Sequence, residues 1–151
     1  MGALGSAAAY QLARRGADVV AFEQYELGHV RGASHDTSRI VRTSYGAAEY
    51  VRFAQSAYRD WADLEAESGE RLLTITGGVI FLPTDGPYAA SDFTSALTEC
   101  DVPHELLAPD EVQARWPQFR VPERVETVYT ADSGIAHAAR TVAVLQLRAR
   151  A

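Results

Sequence analysis

The chain reads as an α/β protein. Three observations carry that reading: short β-prone runs alternate with helical periodicities, a glycine-containing helix opens the chain, and the composition is that of a globular domain. Of its 151 residues, 47% are hydrophobic and 23% charged, which suits one modest domain and no disordered tail. The net charge of −6 argues against nucleic acid or a membrane surface as partner, because non-specific affinity for either rests on excess positive charge. One cysteine, Cys100, cannot close an intrachain disulfide, and no Cys/His spacing suits a metal. A reducing, cytoplasmic setting and no metal are therefore expected. No apolar run approaches ~18 residues, and the start lacks the pattern of a signal peptide.

Residues 1–24, MGALGSAAAYQLARRGADVVAFEQ, read as a helix followed by a strand. Leu4, Ala8 and Leu12 repeat every four residues as on one helical face, and Gly16 supplies a stop. Val19–Phe22 is a β-prone run ending in Glu23. That order is the middle of a dinucleotide-binding βαβ unit, in which a strand leads into G-x-G-x-x-G and an acid ~20 residues later bonds the adenosine ribose. Gly2 and Gly5 have the spacing of the last two glycines, and Glu23 has the place of the acid. Gly2 lets the backbone approach a pyrophosphate at a helix N-terminus opened by Ala3 and Leu4, while Gly5 permits close helix–strand packing. An ordinary alanine-rich helix is the alternative reading. The first motif glycine and its strand are absent, so a truncated chain without its central first strand is expected.

The segment Gly32–Gly46, GASHDTSRIVRTSYG, concentrates two arginines, a histidine, an aspartate and several hydroxyls. Arg39 and Arg42 lie three apart, so on a turn of helix they fall on adjacent faces with Ile40 and Val41 packed between. Their guanidinium groups suit phosphate, carboxylate or the oxygen-rich edge of a cofactor ring. Solvated surface charges paired with Glu26 or Glu49 are the other reading.

Further along, Val51, Ala54, Tyr58, Trp61 and Leu64 mark an amphipathic helix over 48–67. Leu72–Leu82 is β-like with a bend at Gly77-Gly78, and Pro83–Pro87 forms a turn. Phe93, Ala96, Leu97 and Cys100 share a second helical face, which makes Cys100 a buried small hydrophobe. Val102–Leu107 reads as a strand, Ala108–Trp116 as a short helix and Val125–Thr130 as a strand entering a turn at Asp132-Ser133-Gly134. A helix over 137–150 with Val142, Leu145 and Ala149 inward closes the chain.

Taken with the quoted segments SHDTSRIVRTSYG, EYVRFAQSAYRDWADLE, TGGVIF, RWPQFRVPE and YTADSGIAH, the chain resembles FAD-dependent amine oxidases of the D-amino-acid-oxidase superfamily, in the sarcosine-oxidase and N-methyltryptophan-oxidase group. The R-I-x-R core at this distance from the ribose acid is the specific feature. One departure is visible: the family has Gly-Asp-Thr before its first arginine, whereas Asp36-Thr37-Ser38 stands here, so Asp36 is assigned no role. The resemblance implies a Rossmann-like FAD-binding part in residues 1–50. Over 51–151 it implies a helix and the start of a β-sheet substrate domain, with a closing helix returning to the FAD part.

Residue by residue, the resemblance places Arg39, with Ser38 before it, beside the isoalloxazine ring and Arg42 on a substrate carboxylate. His35 is then near the flavin and Tyr45 lines the substrate pocket, although each is equally open to a structural role. The implied reaction oxidises the C–N bond of a small secondary amino acid, with oxygen as acceptor and a monomeric enzyme. Family members are more than twice as long, and their oxygen-activating lysine, flavin-linking cysteine and second carboxylate-binding lysine have no counterpart in these residues. Two other readings remain open from sequence: an inactive truncated fragment, and a flavin dehydrogenase passing electrons to a carrier.

Overall fold

The computed structural model describes residues 1–150. Helices α1 (Ala3–Arg14), α2 (Ala48–Ser68), α3 (Ala90–Glu99), α4 (Pro109–Arg115) and α5 (Ala138–Arg148) are interspersed with strands β1 (Arg39–Val41), β2 (Leu73–Ile75), β3 (Gly78–Pro83), β4 (Glu105–Leu107), β5 (Val125–Thr130) and β6 (Gly134–Ala136). The expected mixture of helix and sheet is thus present. Two three-stranded sheets form, in the orders β1-β6-β2 and β3-β5-β4. The chain divides into two compact units. The first comprises Met1–Ile40, Trp61–Thr74 and the residues from Ile135 onward; the second comprises Val41–Asp60 and Ile75–Gly134.

In the first unit α1 packs on α5, and a core of Tyr10, Leu64, Leu72, Val144 and Leu145 is flanked by Ala7 and Trp61. The buried residues of α1 are Ser6, Ala9 and Tyr10, whereas Leu4 is 90% exposed and Leu12 46%, so the face expected from Leu4, Ala8 and Leu12 is not the inward one. An alanine-rich helix offers small side chains all round, so its largest anchorable residue sets the contact. Tyr10 buries its ring and donates its hydroxyl to Glu67 Oε2 at 2.5 Å, which leucine cannot do. Gly16 ends α1 at φ +79°, as expected of a stop.

Two local expectations fail here. Val19–Phe22 forms no strand, and Val20 and Phe22 are exposed, because no neighbouring strand among the described residues completes their backbone ladder. The segment around the arginines is not a helical turn: Arg39–Val41 is strand β1, and Ile40 is 80% exposed rather than packed between guanidinium groups. Two β-branched residues in succession favour the extended state over a single isolated turn.

The second unit is built on β5, which pairs antiparallel with β3 (Gly78 opposite Thr130, Pro83 opposite Val125) and with β4 (Glu105 opposite Tyr129). Phe93, Ala96, Leu97 and Cys100 of the α3 region cover this sheet with Val51, Leu82 and Val128. Cys100 is a free, buried thiol at the expected position. The bend between β2 and β3 falls at Gly77, φ +72°. The strand expected over Val102–Leu107 is confined to Glu105–Leu107, and the three-residue β6 carries too short a pattern to be anticipated.

Candidate functional site

The first unit contains an open cleft of about 430 Å³, within the range of small-molecule sites. Gly2, Glu23, His29 and Ser34 line it from the N-terminal half, and Val142 and Gln146 of α5 line it from the other end of the sequence. Gly2 and Glu23, marked in sequence by motif spacing, therefore share one cavity, and His35 lies on the same lining. Ala3, Leu4 and Gly5 form the first turn of α1 and are exposed.

Gly2 lies close against Ser34. A Cβ there would meet Ser34 Oγ at 3.0 Å, tighter than the hydroxyl tolerates without moving. At Gly5 a Cβ would meet nothing within 4 Å, so the close helix–strand packing expected of that glycine is not made among the described residues. The N-cap Gly2 offers no side-chain cap, and the first turn of α1 carries no acid, which leaves amide hydrogens and the positive dipole end unneutralised.

The Glu23 carboxylate is 16% exposed. Its Oε1 accepts the Tyr25 backbone N–H at 3.1 Å and lies 3.3 Å from His29 Nε2, while Oε2 faces the Met1 amino nitrogen. Glu23 puts an acceptor oxygen on the cleft, of the kind a ribose hydroxyl needs, and Gly2 brings the N-terminus of α1 to its edge. The residues from α5 were missed in sequence because they follow Glu23 by more than a hundred positions and carry no motif. His29 was missed for the same lack of a motif.

Arg39 serves its own loop. Its Nε and Nη2 donate to the Ala33 carbonyl at 3.2 and 2.9 Å, Nη1 donates to the Ser38 carbonyl at 2.7 Å, and Asp36 Oδ2 stands 4.0 Å away. Five N–H donors make a guanidinium, so two are left for a ligand. Ser38 is exposed, and its carbonyl is one of those lacing points. Neither Glu26 nor Glu49 pairs with either arginine among the described residues.

In the second unit Arg42 is half-buried with its guanidinium carbon 5.0 Å from the centre of the Tyr45 ring, a cation–π arrangement. Tyr45 in turn packs on the core beside Ala48 and Ile80. The next residues pin this segment: buried Thr43 donates to Asp132 Oδ2 at 2.7 Å, and Tyr58 donates to the Asp132 carbonyl at 2.7 Å. Asp132 Oδ1 is buried with no partner among the described residues.

Burial, and then the negative charge of Asp132, pushes the Tyr58 phenol up to about 12. The unfolded phenol titrates near ~10, so between these values the folded state holds a proton that the unfolded state releases. Stability from this group is full below pH ~10 and is lost as pH rises through the folded value. Tyr58→Phe should therefore be less stable than the parent at neutral pH, with the difference shrinking at alkaline pH. Urea titrations at about pH 8 and about pH 11 measure it; a difference independent of pH contradicts it.

The family model described as FAD dependent oxidoreductase (DAO) matches residues 1–151. Monomeric sarcosine oxidase of Bacillus sp. (strain B-0618) is 33% identical over 135 residues, covering 89% of this chain and 35% of that protein. N-methyl-L-tryptophan oxidase of Yersinia pestis is 32% identical over 134 residues, covering 88% of this chain and 36% of its own. A variant of NikD, described as an unusual amino acid oxidase essential for nikkomycin biosynthesis, aligns over 99% of this chain and 39% of its own with a TM-score of 0.83 and 25% identity. The chain thus spans little more than a third of the length of the relatives it matches. No helix among the described residues is long and apolar enough to cross a membrane. On the match across residues 1–151, the chain belongs to the FAD dependent oxidoreductase family, DAO, whose cofactor is FAD.

Proposed function

We propose that this chain holds the adenosine end of FAD and the substrate carboxylate in an oxidase of small secondary amino acids such as sarcosine or an N-methyl amino acid. The observation that carries this reading is the shared cleft of Gly2 and Glu23. When bound, FAD supplies the electron-pair acceptor for oxidation of the C–N bond. The polypeptide binds and orients. Backbone amides of the first turn, Ala3 to Gly5, and the bare backbone of Gly2 hold the pyrophosphate, and Glu23 accepts the ribose hydroxyls. Arg39, with Ser38 and His35, faces the flavin ring, where its two free donors favour developing negative charge. Arg42, stiffened by the Tyr45 ring, grips the substrate carboxylate.

In this reading residues 1–50 with α5 belong to a Rossmann-like FAD-binding part, and the remainder opens a β-sheet substrate domain. Oxygen is the acceptor, and the enzyme is a cytoplasmic monomer. The names of the relatives, sarcosine oxidase and N-methyl-L-tryptophan oxidase, support the substrate class.

The test is FAD titration of the parent and of Glu23→Gln, followed by flavin fluorescence. Loss of the charged acceptor is expected to weaken FAD by about 1–3 kcal/mol. Equal affinity removes Glu23 from the site. Oxygen uptake by the FAD-loaded protein with sarcosine, N-methyltryptophan and proline then separates an oxidase from a dehydrogenase, which reduces an added dye without consuming oxygen.

A further inference from the structure

Residues 23–31, EQYELGHVR, double back so that the far end of the loop returns to the carboxylate that opens it. The return is made by a turn in which the His29 N–H donates to the Glu26 carbonyl at 3.1 Å, with Gly28 at φ +86°, a left-handed conformation that glycine adopts without steric cost. The His29 imidazole is then addressed at both nitrogens. Nδ1 accepts the Arg31 backbone N–H at 3.0 Å, which assigns the proton of the neutral ring to Nε2, and Nε2 lies 3.3 Å from Glu23 Oε1.

Tyr25 completes the bracket. Its backbone N–H donates to the same Oε1, its ring meets the imidazole edge-on at 5.1 Å, and the Arg31 guanidinium carbon stands 4.8 Å from the ring centre. The His29 side chain is only 22% exposed, and Tyr25, His29 and Glu23 all line the cleft.

We propose that His29 is a positioning residue for the ribose site: it and the Tyr25 amide hold Glu23 Oε1, which fixes the carboxylate with Oε2 as acceptor for a ribose hydroxyl. The inference rests on the reading of Glu23 as the ribose acceptor. A free glutamate side chain samples several rotamers and must surrender that freedom when it binds. A carboxylate already held at one oxygen has surrendered it beforehand, so the second oxygen is preorganised. Oε2 lies at the Met1 amino nitrogen, but a carboxylate oxygen has two lone-pair directions and retains one for a hydroxyl. Discrimination for ribose then depends on the histidine even though the histidine itself touches no hydroxyl.

Two substitutions separate this role from simple loop packing. His29→Asn places its side-chain oxygen where Nδ1 was, keeping the Arg31 bond, but is too short to reach Glu23. His29→Gln places its amide nitrogen near the position of Nε2 and so keeps the Glu23 contact. The full chain and both variants are titrated calorimetrically with ADP and with 2′-deoxy-ADP, alongside Glu23→Gln and with circular dichroism as the check on folding.

The expected result is that the parent prefers ADP, that His29→Asn binds ADP on the order of fivefold more weakly and loses most of the preference, and that His29→Gln retains the preference. If His29→Asn keeps the preference, or if His29→Gln loses as much of it as His29→Asn, the positioning role is overturned while the reading of Glu23 stands. If Glu23→Gln leaves the preference unchanged, or the parent binds ADP no better than the deoxy analogue, the ribose reading fails, and the role of His29 with it.

Discussion

Gly78→Ala is expected to destabilise the second unit by about 2–4 kcal/mol, the sum of an overpacking penalty and damage to a buried hydrogen bond. Gly78 opens β3 opposite Thr130, and a Cβ there would stand 2.7 Å from the Ser133 Cβ and 3.1 Å from its hydroxyl. Neither side can yield cheaply. The Ser133 carbonyl accepts both the Thr76 N–H at 3.0 Å and the Gly77 N–H at 2.9 Å, and its hydroxyl shares a 2.7 Å bond with that of fully buried Thr130. Moving Ser133 away from a new methyl group therefore stretches several bonds together. Paired with Ser133→Gly, which removes the struck atom, Gly78→Ala should recover part of its loss. Chemical denaturation of the two single variants and the double variant gives the coupling, and additive losses would show that the clash is not with Ser133.

How much of this was legible beforehand depended on whether the deciding interaction was local. Helix α2 and the buried face carrying Phe93, Ala96, Leu97 and Cys100 came from periodicity, and Gly16 from its place after a periodic run, because each reflects a pattern within a few turns of chain. The inward face of α1 differs from the Leu4, Ala8 and Leu12 periodicity because Tyr10 is chosen by α5 and Glu67, which are distant in sequence. Val19–Phe22 had strand composition, but a strand is made by its neighbour.

Of the candidate site, Gly2 and Glu23, which share one cleft, were legible through their motif spacing. The close approach of Gly2 to Ser34, the α5 side of the cleft and the bracket of Tyr25 and His29 arise only on folding. Arg39 and Arg42 stood out by composition, by their spacing and by the R-I-x-R resemblance. That Arg39 laces the Ala33 and Ser38 carbonyls while Arg42 rests on Tyr45 could not be read from residue types.

Those two environments predict that the arginines fail differently when replaced. Arg42→Lys keeps the charge but loses the planar two-pronged donor and much of its stacking on the Tyr45 ring, whose centre lies 5.0 Å from the guanidinium carbon. If Arg42 grips the substrate carboxylate, a carboxylate inhibitor should bind the FAD-loaded protein about 1.5–3 kcal/mol more weakly, with the flavin still bound and its spectrum near normal. Arg39→Lys should leave inhibitor binding nearly intact and instead lower the flavin's reduction potential, because a mobile ammonium stabilises added negative charge less well than a guanidinium held by two carbonyls. It should also loosen residues 33–38, since three donors leave the Ala33 and Ser38 carbonyls at once, and hydrogen exchange reads that separately from the potential. Stopped-flow reduction with inhibitor titration distinguishes the arms. Variants that both bind inhibitor and reduce flavin as the parent does would make these arginines structural, Arg39 as the lace of its loop and Arg42 as a cap on Tyr45.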